Sequence, residues 1–317
     1  MMPKLSFVIP CYGSEHTIAP VVHEVISLID QDRFDYEFIL VNDCSKDNVW
    51  ESITGLVEEN PKIKAISFAS NFGQQSALLA GFRHASGDFV ISMDDDGQAP
   101  VESLNEMIDL LIEKDYDIVY GCYQHVKQSG FRRFGSWFNH KMAVWFSNCP
   151  RDLFPTSFYV ARKFLIEEIS RFENCYAYIS GLVFRTTRNI GKVYVKHRSR
   201  IEGSSGYTLR RLIGLWVNGF TAFSVKPLRL ATLLGFFFSI SGFVYGLVIL
   251  FMKLLHLDVP VGYASIMAAI LFVGGLLMFM VGMVGEYIGR IYINQNKSPQ
   301  YVIRKKLNFD DENDIRK

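Results

Sequence analysis

The chain has 317 residues, with 33 Lys+Arg against 32 Asp+Glu and a formal net charge of +1. That balance excludes a nucleic-acid binder, which needs a surplus of cations to neutralise phosphates. A hydrophobic fraction of 49% with 26 Phe excludes a disordered chain, and a mean hydropathy of +0.14 points to membrane segments.

The N-terminal MMPKLSFVIPCYGSE holds an apolar run too short for a secretory signal. The five cysteines (Cys11, Cys44, Cys122, Cys149, Cys175) are odd in number and form no CxxC pair. This predicts reduced thiols facing the cytosol rather than a disulfide framework or a zinc site.

Short apolar runs ending in turn residues predict five strands: Leu5–Pro10, Tyr36–Asn42, Ile63–Phe68, Phe89–Met93 and Ile118–Gly121. Between them, helical patterns cover Ile18–Leu28, Val49–Glu58, Gln75–Ala85 and Val101–Lys114. The alternation predicts an α/β fold with a doubly wound, mostly parallel sheet. Ligands of such sheets bind outside the carboxyl ends of the strands. Acidic motifs stand at such ends: VNDCSKD (Val41–Asp47) after the second strand and MDDDGQ (Met93–Gln98) after the fourth. Three consecutive aspartates at a strand end are costly without a cationic partner. A DxD pair in extended chain points two carboxylates the same way, which suits Mg²⁺ or Mn²⁺. A solvated acidic loop is the alternative reading.

The composition changes near Lys226. Leu230–Met252 and Val259–Gly285 contain no charged residue over 23 and 27 positions, and about 20 apolar residues cross a bilayer as a helix. Two transmembrane helices are expected, with Gly235, Ser239, Gly242, Gly246, Gly274, Gly275, Gly282 and Gly285 allowing close packing. Lys226 and Arg229 precede the pair; Arg290, Lys297, Arg304, Lys305 and Lys306 follow it. The loop between holds Lys253 and His256, opposed by Asp258. This bias puts both termini in the cytoplasm. Tyr207–Val225, with Trp216, Arg210 and Arg211, reads as an interfacial amphipathic helix, or alternatively as a core helix.

With these residues in view, a resemblance emerges. PCYGSE (Pro10–Glu15), VNDCSKD, NFGQQSALLAGF (Asn71–Phe82) and MDDDGQ resemble, in order, the PxYNE, VDDGSxD, NxGxxxAxxxG and DxDLQ motifs of glycosyltransferase family 2. His197–Tyr207 (HRSRIEGSSGY), Pro227-Leu228-Arg229, Gly285–Tyr292 (GEYIGRIY) and Pro299-Gln300-Tyr301 are similar to segments of its polyprenyl-phosphate glycosyltransferases, relatives of dolichol-phosphate mannose synthase.

The resemblance implies a GT-A type, Rossmann-like catalytic domain over residues 1–206, interfacial helices over 207–228, a transmembrane hairpin over 229–289 and a cytoplasmic tail over 290–317. It implies inverting transfer of a sugar from a nucleotide sugar, a UDP-sugar by expectation, to undecaprenyl phosphate, for cell-envelope glycan synthesis. The expected setting is the bacterial cytoplasmic membrane, with the enzyme a homo-oligomer, a tetramer among the arrangements allowed.

Position by position, the resemblance assigns Pro10, Tyr12, Glu15 and Asp43 to the nucleotide, Asp94 and Asp96 to the metal and diphosphate, and Gln98 to the sugar. Asp95 fills the middle of the motif beside the nucleotide sugar. Arg132 and Arg133 would hold the acceptor phosphate, and His197 and Arg200 would close over the diphosphate. Other readings stay open: a helix N-cap for Asp43, a membrane-surface patch for Arg132 and Arg133, a hydrogen-bonded loop position for His197.

Gly13 and Ser14 depart from the family pattern, and PTSFYVAR (Pro155–Arg162) stands where many members have a carboxylate and an arginine in a GDFRL-like segment. Two other functions remain: a polysaccharide-forming glycosyltransferase, which lacks support because no QxxRW-like segment occurs, and a non-catalytic membrane scaffold on the same fold.

Overall fold

The computed structural model describes residues 2–123, 150, 153, 155–174, 177–196, 198, 226–255, 262–296 and 299–309. The chain forms two compact units: Met1–Tyr207 with Pro299–Lys317, and Thr208–Ser298.

The first unit begins with the expected alternation: β1 (Lys4–Cys11), α1 (Ile18–Leu28), β2 (Asp35–Asn42), α2 (Val49–Glu59), β3 (Ile63–Phe68), α3 (Gln74–His84) and β4 (Phe89–Ser92). A 3₁₀ turn (Val101–Ser103), α4 (Leu104–Glu113) and β5 (Ile118–Tyr123) follow. Four further elements had no clear signal: β6 (Tyr159–Arg162), α5 (Lys163–Ser170), α6 (Ile179–Thr186) and β7 (Ile190–Val195). In the second unit lie α7 (Lys226–Leu254) and α8 (Tyr263–Gln295), after which β8 (Ile303–Leu307) belongs to the first unit again.

The eight strands form one sheet in the order β7-β5-β6-β4-β1-β2-β3-β8. β1 pairs in parallel with both β2 and β4, β2 with β3, and β5 with β7. Two strands break the pattern: β6 lies antiparallel between β4 and β5, and β8 runs antiparallel along β3. β1 is the point where successive strands change direction of growth, so a crevice opens outside the carboxyl ends of β1 and β4. β1 and β2 are buried along nearly their whole length, as expected of strands covered on both faces. Phe7 stacks on Phe38 across them at 4.8 Å.

The last glycine of the NFGQQSALLAGF segment has a packing reason. A Cβ on Gly81 would lie 2.2 Å from Val8 Cγ1, so only glycine lets α3 press against β1. At the amino ends of the strands, Glu37 is a buried carboxylate. It accepts bonds from Ser6 Oγ (2.6 Å), Ser86 N (2.7 Å), Ser86 Oγ (2.9 Å), Lys4 Nζ (3.0 Å) and Lys64 Nζ (3.0 Å). Burial pushes its pKa up, but these donors together bring it down to about 2.

Part of the stretch expected as a tail is built into the sheet. Ile303–Leu307 is a strand whose Ala65↔Leu307 and Ile66↔Lys306 register closes the β3 edge of the sheet. Its IRKKL sequence hides the strand, because three consecutive cations mask any alternation. In the second unit, α7 and α8 touch through Phe238 and Phe272, with ring centroids 5.4 Å apart. Of the expected small-residue contacts, Gly235 approaches Met280, whereas Gly242, Gly274, Gly275, Gly282 and Gly285 would take a Cβ in open space. Among the described residues, one stretch, Phe272–Ile293, is long and apolar enough to cross a membrane. The Tyr207–Val225 segment lies outside the described residues.

Candidate active site

The loops after β1, β2 and β4 are tied together at the carboxyl ends of the strands by side chains that bind neighbouring backbone. Tyr12 N donates to Asp95 Oδ2 at 3.0 Å, Gly13 N to Ser45 Oγ at 2.8 Å, and Glu15 N to Asp47 Oδ2 at 3.0 Å. In return, the Glu15 carboxylate accepts Asn48 N and Asn48 Nδ2, both at 3.2 Å. Glu15 therefore spends its charge at the start of α2, where the helix dipole favours it. Tyr12 is 49% exposed. Pro10 is buried at the carboxyl end of β1, opposite Val41.

Asp43 has a definite backbone partner set. Its Oδ1 accepts Phe72 N at 2.7 Å and its Oδ2 accepts Gly73 N at 2.8 Å, just before α3. Gly73, at φ 86°, turns the chain into the helix. Asn71 Nδ2 adds a bond to Asp43 O at 3.1 Å. Burial is the larger effect on the carboxyl and raises its pKa, against the two backbone donors, which lower it. Neither bond caps a helix, because Phe72 N and Gly73 N precede the first turn of α3, whose N-cap Gly73 has no side-chain cap bond. Next to it, Cys44 holds a left-handed φ of 51°, where the family motif has glycine.

The three aspartates after β4 diverge. Asp94 accepts Gln74 Nε2 on Oδ1 at 2.7 Å and Ser157 Oγ on Oδ2. Asp95 turns to the first loop, and its pKa is pushed up to about 6, by burial first and by the Asp94 charge, against the bond from Tyr12 N. Asp96 Oδ1 accepts Gln98 N at 3.1 Å. Tyr123, at the end of β5, has its phenol pKa raised by burial first and then by the charges of Asp94 and Asp96. Gln98 Nε2 donates to Arg198 O at 3.3 Å, and the Arg198 guanidinium is forked between Glu24 (2.7 Å) and Glu102. Arg132, Arg133, His197 and Arg200 lie outside the described residues.

Asp94, Asp96 and Gln98 offer hard oxygen donors. Among the described residues no three His, Cys, Asp or Glu side chains converge into a cage. That donor set fits Mg²⁺ or Mn²⁺, which bind through one or two carboxylates and take further ligands from water and substrate phosphate. It does not fit a structural zinc site.

Sequence reasoning missed Gln74, Ser157 and Arg198. The first two are uncharged, and only the fold brings them to Asp94; Arg198 sits between the two residues of its motif that drew notice. In the departing PTSFYVAR stretch, Phe158 and Tyr159 are both buried, so neither replaces the expected arginine as a charged head. Burial raises the pKa of the Tyr159 phenol far above its usual value.

Comparison with known proteins gives the family and the fold. Residues 6–168 match the model of glycosyl transferase family 2, and residues 226–291 match the GtrB C-terminal hairpin. The chain is 30% identical over 305 residues to the bactoprenol glucosyl transferase of Shigella phage SfII, covering 95% of this chain and 98% of the relative. It is 29% identical over 305 residues to the prophage bactoprenol glucosyl transferase homolog of Escherichia coli K12, covering 95% and 99%. Among solved structures, glucosyl-3-phosphoglycerate synthase of Mycobacterium tuberculosis shares the fold, with a TM-score of 0.50 at 18% identity over 66% of this chain and 75% of that one.

Proposed function

The chain belongs to glycosyltransferase family 2, and from that premise we propose that it transfers a glucosyl-type sugar from a nucleotide sugar, UDP-glucose first among them, to undecaprenyl phosphate, with inversion. The observation that carries this reading is the placement of Asp94–Asp96 and Tyr12 on adjoining loops at the strand-reversal point, in a chain that continues into a GtrB-type hairpin. The names of the phage relatives support the lipid acceptor and the glucosyl donor.

A phosphate monoester has a second pKa of roughly 6, so the acceptor is already a nucleophile at neutral pH and no strong general base is required. The difficulty is bringing an anion to an anionic donor. Mg²⁺ or Mn²⁺, bound with the donor diphosphate, supplies charge screening and leaving-group stabilisation. Asp94 and Asp96 would hold it, with Gln98 beside the sugar. Tyr12 would stack on the base, while Glu15 and Asp43 brace the loops that frame it. Arg132 and Arg133 are proposed for the acceptor phosphate, as charge-assisted donors, and His197 and Arg200 for the diphosphate.

The hydrocarbon of the acceptor stays in the bilayer, at about 0.8 kcal/mol per buried CH₂, so the enzyme must reach the interface. We propose that α7 and α8 are two membrane spans of the bacterial inner membrane. β8 supports an even number of crossings: chain before and after the helical unit belongs to one sheet, and hence to one side. The Lys/Arg flanks support the cytoplasmic side.

The test is transfer by purified full-length enzyme from radiolabelled nucleotide sugars to undecaprenyl phosphate in detergent. Lipid-linked sugar should form with Mg²⁺ or Mn²⁺, stop with EDTA, and fall by at least a hundredfold in Asp96→Asn. Activity of that variant within threefold of wild type would refute the metal assignment.

A further inference from the structure

We propose that Gln74 and Ser157 are positioning residues that fix the Asp94 carboxylate from two sides. This rests on the reading of Asp94 as part of the donor site. Gln74 is the first residue of α3, and its amide donates to Asp94 Oδ1 at 2.7 Å. Ser157, in the turn before β6, donates its hydroxyl to Oδ2.

Both donors stand on segments braced by hydrogen bonds and packing. α3 is held at its start by Asp43, and Gly81 seats it on β1. The Ser157 turn is tied to β5: Thr156 Oγ1 donates to Gly121 O at 2.9 Å, and Gly121 N donates to Phe158 O at 3.0 Å. Phe158 fills the space above Gly121, where a Cβ would lie 2.7 Å from its ring.

Neutral donors on this carboxylate have a chemical consequence. An arginine would orient Asp94 and also offset its charge. An amide and a hydroxyl orient it without bringing a charge of their own, and a carboxylate oxygen accepts more than one partner. The PTSFYVAR stretch, where the family resemblance leads one to expect a carboxylate and an arginine, thus supplies an uncharged hydroxyl to the site.

The test uses the full-length protein in detergent and Mn²⁺ alone, titrated by electron paramagnetic resonance. Ser157→Ala and Gln74→Ala should each weaken Mn²⁺ binding about tenfold, or ~1.4 kcal/mol, with melting temperatures near wild type. Ser157→Thr, which keeps the hydroxyl, should bind within twofold of wild type. Wild-type affinity in Ser157→Ala, or a loss in Ser157→Thr equal to that in Ser157→Ala, would overturn the proposal. A metal-free structure of Ser157→Ala reads the positioning separately: Asp94 should leave its observed rotamer, and a carboxylate still in place overturns the proposal whatever the titration gives. If wild type takes up no Mn²⁺, the cation reading of the site fails, and this structure alone decides whether Ser157 positions Asp94.

Discussion

Arg83 Nη1, at the end of α3, donates to the phenol oxygen of Tyr301 at 2.8 Å, joining residues 218 apart in the chain. The same guanidinium donates through Nη2 to Gln300 Oε1 (2.9 Å) and Phe172 O (2.8 Å), and through Nε to Ser170 O (3.0 Å). Tyr301 also stacks on Phe68 at 5.1 Å, and Gln300 Nε2 reaches Asn174 O at 2.6 Å. Arg83, the Tyr301–Phe68 stack and the Gln300 amide therefore fasten this segment to the catalytic unit before β8 pairs with β3.

Arg83→Ala should loosen this attachment. The arginine is exposed, so solvent discounts each bond, and about 1–2 kcal/mol in total is expected. Limited proteolysis of the full-length protein should then cut near residues 299–303 several times faster than in wild type. Unchanged cleavage would show that the segment is secured without Arg83.

Glu37→Gln should destabilise the catalytic unit in a pH-dependent way. The folded pKa of about 2 lies below the usual carboxylate value of 4.5. The contribution is therefore fully present above pH 4.5 and is lost as pH falls through 2. A shift of that size corresponds to about 3 kcal/mol. The variant should melt lower than wild type at pH 7, and the gap should narrow progressively below pH 4.5. A gap independent of pH would mean that shape rather than charge matters here.

The strands that carry the site were legible because β1, β2 and β4 are mostly apolar runs, and Pro10, Asn42 and Asp94 punctuate their ends. β6 and β8 were not. Tyr159–Arg162 is short and ends on a charge, and Ile303–Leu307 has three cations in a row, so both owe their strand state to the neighbours they pair with rather than to pattern. Acidic site positions could be found by charge. Gln74 and Ser157 could not, since neutral residues gain meaning only from the carboxylate that the fold sets between them. Asp43 was found as a residue, but its bonds to the backbone before α3 depend on a loop 29 and 30 residues further on.

Asp43→Asn separates bracing from ligand contact. An asparagine offers one acceptor oxygen where Phe72 N and Gly73 N need two, so its amide would confront a donor. The loss should be about 1–3 kcal/mol, which lowers the melting temperature of the ligand-free protein by several degrees. A melting temperature within one degree of wild type, together with a raised KM for nucleotide sugar, would give Asp43 a ligand role and no bracing role.

Asp95→Asn should act in the opposite direction from Glu37→Gln. The Asp95 pKa is raised from 3.8 to about 6, with burial as the largest cause. Stability linked to this group is fully present below pH 3.8 and declines as pH rises through 6, because the folded protein resists the charge that the unfolded chain accepts. At pH 7.5 the ligand-free protein therefore carries an unfavourable charge at this position. Asparagine removes the charge and keeps an oxygen to accept Tyr12 N, which Asp95 Oδ2 now does at 3.0 Å. The variant should melt higher than wild type at pH 7.5, and the difference should shrink below pH 4, where the wild-type carboxyl is protonated in both states. A lower melting temperature at pH 7.5 would mean that Asp95 needs its charge to hold the loop after β1, and that its bond to Tyr12 outweighs the burial.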